Sequence, residues 1–303
     1  SWSTASTRAH SRVGCSGRTE RFDARYGRGV GGTLAGGDDE ETIMTAAAIP
    51  ALEREVGYAQ ELFATLTAEE WASASGCEGW RVQDVAQHMA AVFQQIADAS
   101  SIDVGDSGRA EPSNEVPVQA RKDWTVAQVL DAYAEWAPKG VAALAALQEP
   151  PMADMVVPIS DLGTHPLNLL GNAIVFDHYC HLRHDLPGID RAAALPTDDD
   201  TLAVTLEWML AGLPQMCAAA LAEAPDRSVN LVFDGPAGGG WLVAPGAGGW
   251  TVTEESDPAA PTIHTRVHDF VSWGTKRSDW RDSATGDIDD ADAATVLDAI
   301  NII

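Results

Sequence analysis

The periodicity of the hydrophobic residues changes once along the chain, near Pro225, and this change limits the folds that are possible. Upstream of it, apolar residues recur three and four positions apart, as do Leu52, Val56, Ala59 and Leu62. This spacing places them on one face of an amphipathic α-helix. Downstream, short alternating or β-rich runs are separated by glycine and proline, as in strands joined by turns. We therefore predict an all-helical part over 46–222, followed by a small α+β domain over 226–303.

Capping residues and prolines suggest where the elements begin and end. Thr67 and Glu70 have the spacing of a capping box, and Thr125 is placed as the N-cap of a later helix. We expect Pro138 to kink its helix and Pro214 to interrupt another. The Gly/Pro/Ser/Glu-rich segment 103–120 is predicted as a loop, and the four C-terminal strands as a meander. The predicted helices span 48–66, 81–100, 125–148, 166–186 and 199–223, with two shorter ones near 269–277 and 291–303.

The N-terminal residues 1–45 differ in composition from the rest. They are rich in Ser, Gly and Arg, lack periodicity and hold almost no aliphatic side chains. Such a segment cannot bury enough apolar surface to fold, so we predict a disordered extension and place the natural start near Met44. The segment has no apolar core typical of a signal peptide, and we expect a cytoplasmic protein.

The charge balance excludes several classes of partner. The chain has 45 acidic and 19 basic residues, a formal net charge of −26. Such a surface repels nucleic acid and anionic membranes, so we expect neither as a partner. The four cysteines are scattered without a CxxC pair, and we predict free, buried thiols rather than a disulfide framework or a zinc ribbon.

The segment "FDHYCHLRHDL" (176–186) concentrates three of the eight histidines. On a helix, Asp177 and His181 share one face with His184, whereas His178 points about 100° away. A D-xxx-H pair of this kind can supply two ligands to a divalent metal. His88, in the middle of another predicted helix, is a candidate third ligand from a facing helix. The residues alone leave two interpretations open: a metal site, or a solvated helix face with a separate core histidine.

The other conspicuous patterns indicate structural roles. His165 is expected at a turn or helix start, and His264 and His268 lack an acidic partner at ligand spacing. The Gly-rich runs near 235–249 lack the strand and helix context of a phosphate loop, so we predict hairpin turns.

Three stretches together resemble a known family. "LTAEEW…SGCEGWRVQDVAQHMA" and "FDHYCHLRHDL" resemble the two signatures of the mycothiol-dependent maleylpyruvate isomerase family, and "HDFVSWGTKR…TGD" resembles the end of its second domain. The resemblance spans about 48–300. It implies a DinB-like metal-binding four-helix bundle followed by a sterol-carrier-like α+β domain.

The resemblance also implies site residues. His88, Asp177 and His181 would be the metal ligands, with zinc as the usual ion, and Arg277 would meet the substrate or thiol from the second domain. Two positions depart from the family pattern: Asp177 stands where Glu is commoner, and Arg81 stands where a capping Thr or Ser is usual.

The predicted function follows from this resemblance. We expect a zinc- or other divalent-metal-dependent enzyme that activates mycothiol, as an isomerase or S-transferase acting on a small electrophile such as maleylpyruvate. Asp84 and His184 are expected to orient the ligands, and the protein to be a monomer or weak homodimer. Two alternatives remain: a metal-dependent hydrolase on the same bundle, and a non-catalytic protein that binds a metal or an apolar ligand.

Overall fold

The computed structural model describes residues 47–303. The predicted extension 1–45 and the predicted start at Met44 lie outside the described residues. The α-helices are α1 (Ala48–Phe63), α2 (Ala68–Ala72), α3 (Val82–Ala97), α4 (Ala110–Ala120), α5 (Val126–Ala146), α6 (Leu170–His184), α7 (Asp190–Ala193), α8 (Asp199–Met216), α9 (Ala218–Leu221), α10 (Val267–Gly274) and α11 (Ala291–Ala299). The strands are β1 (Val156–Pro158), β2 (Thr164–Pro166), β3 (Val229–Asp234), β4 (Gly239–Gly246), β5 (Gly249–Thr253), β6 (Thr262–Arg266) and β7 (Thr285–Gly286).

Four long helices, α1, α3, α5 and α6, pack together as a bundle, and α8 adds to it beside α6 and α1. Helices α3 and α5 share the most extensive contact of the bundle, where the ring of Phe93 lies against Gly140. A Cβ at position 140 would overlap that ring, so glycine is required for the approach rather than for its backbone freedom. Phe93 and Tyr133 are buried at this contact with ring centroids 6.0 Å apart. Burial of each such side chain contributes roughly 1.5–3 kcal/mol.

The C-terminal part contains a five-stranded sheet with strand order β5-β4-β3-β6-β7. Its first three strands are antiparallel neighbours, as the predicted meander requires. The prediction that the fourth strand continues the meander is wrong, because β6 runs parallel to β3, with Leu231 opposite Ile263. Val229, Leu231 and Phe233 are all buried, and a strand this apolar is stabilised by a neighbour on each side. The connection 254–261 therefore carries the chain across to the free edge of β3.

Helix α6 lies between two hydrophobic clusters. Val175, Leu182 and Leu186 pack into the core of the bundle. Phe176 and Tyr179 pack into a second core, which also contains residues of α8, the sheet, α10 and α11. The helix that carries "FDHYCHLRHDL" is thus fixed on two faces, and its remaining face carries Asp177 and His181.

Most of the predicted elements are present, and the predicted fold class, a helical part followed by a sheet-containing part, is confirmed. The capping boxes at Thr67 and Thr125 both form. Helix α5 continues through Pro138, and α8 continues through Pro214 to end two residues later. The domain boundaries at 222 and 226 stay a prediction.

The loop predicted over 103–120 is wrong in its second half, where α4 forms. Its first backbone amide, Ala110 N, donates to Asp161 Oδ1 at 2.8 Å. At its other end, Gln87 Nε2 donates to the carbonyl of Val118 at 2.8 Å. Pro112 lies in the first turn, where a missing amide hydrogen is tolerated. Partners distant in sequence therefore stabilise a helix that its own composition does not predict.

Among the described residues, Cys77, Cys180 and Cys217 are free thiols, as predicted. Two of them are buried, whereas Cys77 is partly exposed. None of the described helices is both long and apolar enough to cross a membrane.

Candidate metal centre

Helices α3 and α6 bring the three predicted ligands together. His88 Nε2 lies 3.2 Å from Asp177 Oδ1, and His181 Nε2 lies 3.4 Å from the same oxygen. The two imidazole rings meet edge to face with centroids 5.0 Å apart. One ligand atom of each residue lies within 4.8 Å of the other two. Both histidines are buried, and the Asp177 side chain is 20% exposed, so the group is reached from the carboxylate side.

The helical spacing explains which histidines of 176–186 face the group. Asp177 and His181 are one helical turn apart and project from the same face of α6. His178 points instead into the bundle core, where its Nδ1 donates to the Ile174 carbonyl at 3.1 Å. Its Nε2 then accepts from the Tyr133 hydroxyl, also at 3.1 Å. His178 is therefore a satisfied core histidine, directed as the 100° helical rotation predicts.

The donor set fits a divalent cation. Asp177 Oδ2 is buried without a hydrogen-bond partner, and His178 Nδ1 lies 3.6 Å from it. A buried carboxylate oxygen without a partner is costly in a folded protein, and a bound cation would compensate it. Two imidazoles and one carboxylate are a set that zinc accepts while keeping a position open. The site residues remain a prediction, which this geometry supports.

The electrostatics of the three groups are strongly coupled. Burial by itself raises the pKa of Asp177, but His181 and His88 outweigh it and hold that pKa well below its usual range. Burial lowers the pKa of His88, so its imidazole is neutral. For His181, burial again favours the neutral form, but Asp177 and Asp185 raise its pKa well above the usual range. Both aspartates therefore favour the protonated form of His181.

Asp185 is a site residue that the sequence analysis missed. Its Oδ2 accepts from His181 Nδ1 at 2.8 Å, on the side of the imidazole away from Asp177. The residue is 1% exposed and follows α6 as its C-cap. The available signal was its spacing, since Asp185 lies four residues after His181, as His181 lies four residues after Asp177. Asp84 and His184, which were predicted to orient the ligands, contact Arg81 and His268 instead.

Arg277 reaches the site from the C-terminal part of the chain. Its Nε and Nη2 donate to the two carboxylate oxygens of Asp185, each at 2.7 Å. Burial by itself raises the pKa of Asp185, but the hydrogen bonds from His181 and then from Arg277 hold that pKa well below its usual range. Burial lowers the pKa of Arg277, and its contact with Asp185 outweighs this and raises that pKa. The side chain of Arg277 is 27% exposed. The predicted contact of Arg277 with a substrate or thiol stays a prediction, and the observed partner of this guanidinium is Asp185.

Two partly exposed side chains border the ligands. The indole of Trp80 lies over His88 with ring centroids 5.3 Å apart, and its Nε1 donates to Glu115 Oε2 at 2.7 Å. Cys77 Sγ lies 3.9 Å from His181 Nδ1. Both belong to the "SGCEGW" loop, so this loop forms one wall of the site.

Cys77, His181 and Asp185 form a second group with ligand atoms close together. It shares His181 with the first group. Arg277 already binds both oxygens of Asp185, so a second cation there would be repelled by the guanidinium. We therefore assign Asp185 to the support of His181 and not to a second metal.

His165, His264 and His268 have structural partners. His165 Nε2 donates to the Leu162 carbonyl at 3.0 Å in the β1–β2 region. His264 lies 3.3 Å from Asp234 on the sheet, and His268 Nδ1 lies 2.7 Å from the Tyr179 hydroxyl. None of these three contacts the group of His88, Asp177 and His181.

Comparison with known proteins finds a family match within the helical part. The sequence model of the mycothiol maleylpyruvate isomerase N-terminal domain matches residues 52–183. The matched range contains His88, Asp177 and His181, and the predicted family resemblance is confirmed. Asp185 and Arg277 lie beyond it.

Two solved structures are similar over most of their length. They are a mycothiol-dependent maleylpyruvate isomerase and a mutant of it, with 12% and 11% sequence identity and TM-scores of 0.49 and 0.48. Each alignment covers 80% of this chain and 92% of the other. No curated protein matches the chain.

Proposed function

We propose, on the premise that 52–183 is a mycothiol maleylpyruvate isomerase N-terminal domain, that this chain is a metal-dependent enzyme that activates a low-molecular-weight thiol. The thiol would be mycothiol, and the reaction an isomerisation of a small electrophile such as maleylpyruvate or a transfer of sulfur to it. The observation that carries the proposal is the convergence of His88, Asp177 and His181 inside the matched range.

The three side chains would hold one divalent ion, with zinc favoured by two imidazoles and a carboxylate. When bound, such an ion stabilises a thiolate at neutral pH, which supplies a nucleophile without a protein cysteine. Asp177 would be the single anionic ligand, while His88 and His181 would bind as neutral imidazoles. These roles require that His181 lose its proton when the ion enters, so metal uptake releases a proton.

The charges around the site match an anionic sulfur. Asp185 and Arg277 neutralise each other in their bidentate pair. Asp177 cancels one of the two positive charges of a divalent ion. One positive charge then remains in a largely buried site, and a single thiolate would balance it. The net charge of −26 on the whole chain is therefore no obstacle to an anionic ligand at this position.

The wall of the site is suited to a small organic ligand. Trp80 covers His88 with an apolar face and is fixed by its hydrogen bond to Glu115. An indole beside the ligands limits the access of water, which strengthens the attraction between an anion and the site. Cys77, close to His181, makes this wall partly apolar as well.

The test is turnover by the purified chain, stripped of metal and then loaded with zinc. Maleylpyruvate isomerisation and S-conjugate formation would be followed with mycothiol, with another low-molecular-weight thiol and without thiol. We expect turnover only with metal and thiol together, lost in His88→Ala and His181→Ala and retained in His264→Ala. Equal turnover of an ester or amide substrate without any thiol would overturn the proposal in favour of a metal-dependent hydrolase. Zinc binding without turnover would favour a binding protein.

A further inference from the structure

We propose that Asp185 and Arg277 are positioning residues, and that they set the metal affinity of the site by fixing His181. Asp185 holds the imidazole, and Arg277, which comes from the C-terminal part, holds Asp185. The α+β part would then influence how tightly the metal binds, although all three ligands lie in the helical part. This inference rests on the metal site of the proposed function.

The hydrogen bond to Asp185 fixes the orientation of the His181 imidazole. The carboxylate of Asp185 can only accept, so His181 Nδ1 must donate in their 2.8 Å hydrogen bond. The other nitrogen, Nε2, faces Asp177 and His88. In the neutral imidazole a proton fixed on Nδ1 leaves the lone pair of Nε2 free for a metal. Asp185 therefore selects both the rotamer and the tautomer that a ligand at this position needs.

Asp185 is itself held in place through both its side chain and its backbone. Both of its carboxylate oxygens are bound in the planar fork of Arg277, each at 2.7 Å. Its backbone carbonyl accepts from the amide of Gly76 at 2.9 Å. With its side chain nearly inaccessible to water, the carboxylate has a single orientation. Two parallel charge-assisted hydrogen bonds give this geometry a precision that a lysine at 277 cannot reproduce.

Gly76 of the "SGCEGW" loop lies directly against Asp185. A Cβ at position 76 would lie 2.8 Å from Asp185 Oδ1 and 3.1 Å from Asp185 Cα. Both distances are shorter than van der Waals contact, so any side chain at 76 would push the loop and Asp185 apart. Glycine is needed there because the loop packs directly on the aspartate that supports His181.

Arg277 is anchored next to the core of the C-terminal part. The residue follows α10, and its backbone amide donates to the Ser272 carbonyl at 2.9 Å. Phe270 and Trp273 of α10 are fully buried with ring centroids 4.7 Å apart. The guanidinium is thus presented by a rigid element, and the position of α10 is transmitted to His181 through two hydrogen-bonded contacts.

His88 has no comparable support. Its second nitrogen, Nδ1, is buried without a hydrogen-bond partner. The two histidine side chains are therefore held unequally. A hydrogen bond fixes the orientation of the His181 ring before any metal binds, and the second nitrogen of His88 has no such support. Loss of this single support is expected to have a large effect on metal binding.

The experiment measures the zinc dissociation constant by chelator competition, together with the visible spectrum of the Co²⁺-substituted full chain. The variants are Asp185→Asn, Arg277→Gln, Arg277→Lys and Gly76→Ala. Arg281→Gln is the matched control, because Arg281 makes the same bidentate contact with Asp298 on the surface of the same part of the chain. Circular dichroism and the unfolding midpoint report whether each variant is folded.

We expect zinc affinity to fall about ten- to a hundredfold in Asp185→Asn and Arg277→Gln. Arg277→Lys should recover part of the loss, and the Co²⁺ bands should shift or broaden in the weakened variants. Gly76→Ala tests the same contact without any change of charge, and a loss of affinity with unchanged folding supports the inference. Arg281→Gln should bind zinc as the wild type does.

Three outcomes separate this inference from the proposed function. Affinity within threefold of wild type in folded Asp185→Asn and Arg277→Gln, with His181→Ala inactive in binding, overturns this inference alone. A wild-type chain that binds no zinc overturns both. Zinc affinity that depends on Asp185 and Arg277, without any thiol-dependent turnover, supports this inference and overturns the proposed enzyme.

Discussion

Trp80 donates a 2.7 Å hydrogen bond through its indole nitrogen to Glu115, a residue of the helix that composition did not predict. The same indole lies over His88, one of the three candidate ligands. Helix α4 therefore holds a wall of the candidate site without contacting a ligand itself. We therefore expect Glu115 to affect the binding of a thiol or substrate without affecting the binding of metal.

Glu115→Ala should weaken the binding of the thiol or substrate and leave zinc affinity unchanged. Loss of one hydrogen bond of about 0.5–1.5 kcal/mol corresponds to an increase in KM of roughly two- to thirteenfold. Steady-state kinetics and chelator competition on the same preparations measure the two effects. Glu111→Ala, on the exposed first turn of the same helix, is the control and should change neither. A parallel fall in zinc affinity would show that α4 supports the ligands directly.

Asp177→Asn should lower zinc affinity by about a hundredfold or more, because the single anionic ligand is replaced by a neutral amide. Asp177→Glu, which restores the residue commoner in the family, should retain zinc. Metal analysis after equilibrium dialysis against a weak chelator distinguishes the two variants. Equal zinc retention in Asp177→Asn and in wild type would exclude this carboxylate as a ligand.

The buried ion pair of Glu55 and Arg183 should be essential for the stability of the bundle. Arg183 donates to both carboxylate oxygens of Glu55, at 2.7 and 2.9 Å, and the carboxylate is fully buried. Arg183→Met leaves that carboxylate without a partner, and we expect a loss of about 3–5 kcal/mol in the free energy of unfolding. Urea denaturation measures it.

The double variant Glu55→Leu/Arg183→Met is the matched control for this prediction. Removal of both charges should restore much of the lost stability, because no unpaired charge is buried. If the double variant is less stable than Arg183→Met alone, the cost arises from lost packing around the long side chain and not from the unpaired carboxylate.

His184 should make the folded state sensitive to acid. Burial and the nearby His268 lower the pKa of His184 from 6.5 to about 4. In the unfolded chain the imidazole takes up its proton near pH 6.5, whereas in the folded chain it does so only near pH 4. Protonation therefore favours the unfolded state, and stability falls as the pH falls from 6.5 toward 4, by up to about 3 kcal/mol from this group.

The variant His184→Asn carries no titrating group at this position, so its stability should fall less steeply over the same window. Urea midpoints at pH 7, 6, 5 and 4 for the metal-free wild type and for the variant give the comparison. Parallel curves for the two proteins would contradict the assignment of this acid sensitivity to His184.

The sequence predicts the long helices well, because their apolar faces repeat with the helical period and their caps are explicit. Thr67 and Thr125 form the caps expected of them. Helix α4 was missed because its ends are satisfied by Asp161 and Gln87, which are distant in sequence. The parallel pairing of β6 with β3 was missed because alternation indicates strands but not their direction.

Helical spacing and the family resemblance together predicted the three candidate ligands. The D-xxx-H pair of Asp177 and His181 is local to one helix. His88 was a candidate from its place in the middle of a second helix, and the resemblance implied the same residue. Asp185 was overlooked, although it continues the same four-residue spacing, because its role becomes visible only with Arg277 in place. That contact joins residues from two parts of the chain and depends on how α10 packs, which a single sequence does not specify.

The central claim is that His88, Asp177 and His181 form one zinc site, and metal content tests it most directly. Elemental mass spectrometry would be applied to the untagged full chain after zinc addition and desalting, beside His88→Ala, His181→Ala and the control His264→Ala. We expect about one zinc per chain in the wild type and in His264→Ala, and close to none in the other two variants. Absence of zinc from the wild type, or the same content in all four proteins, would contradict the claim.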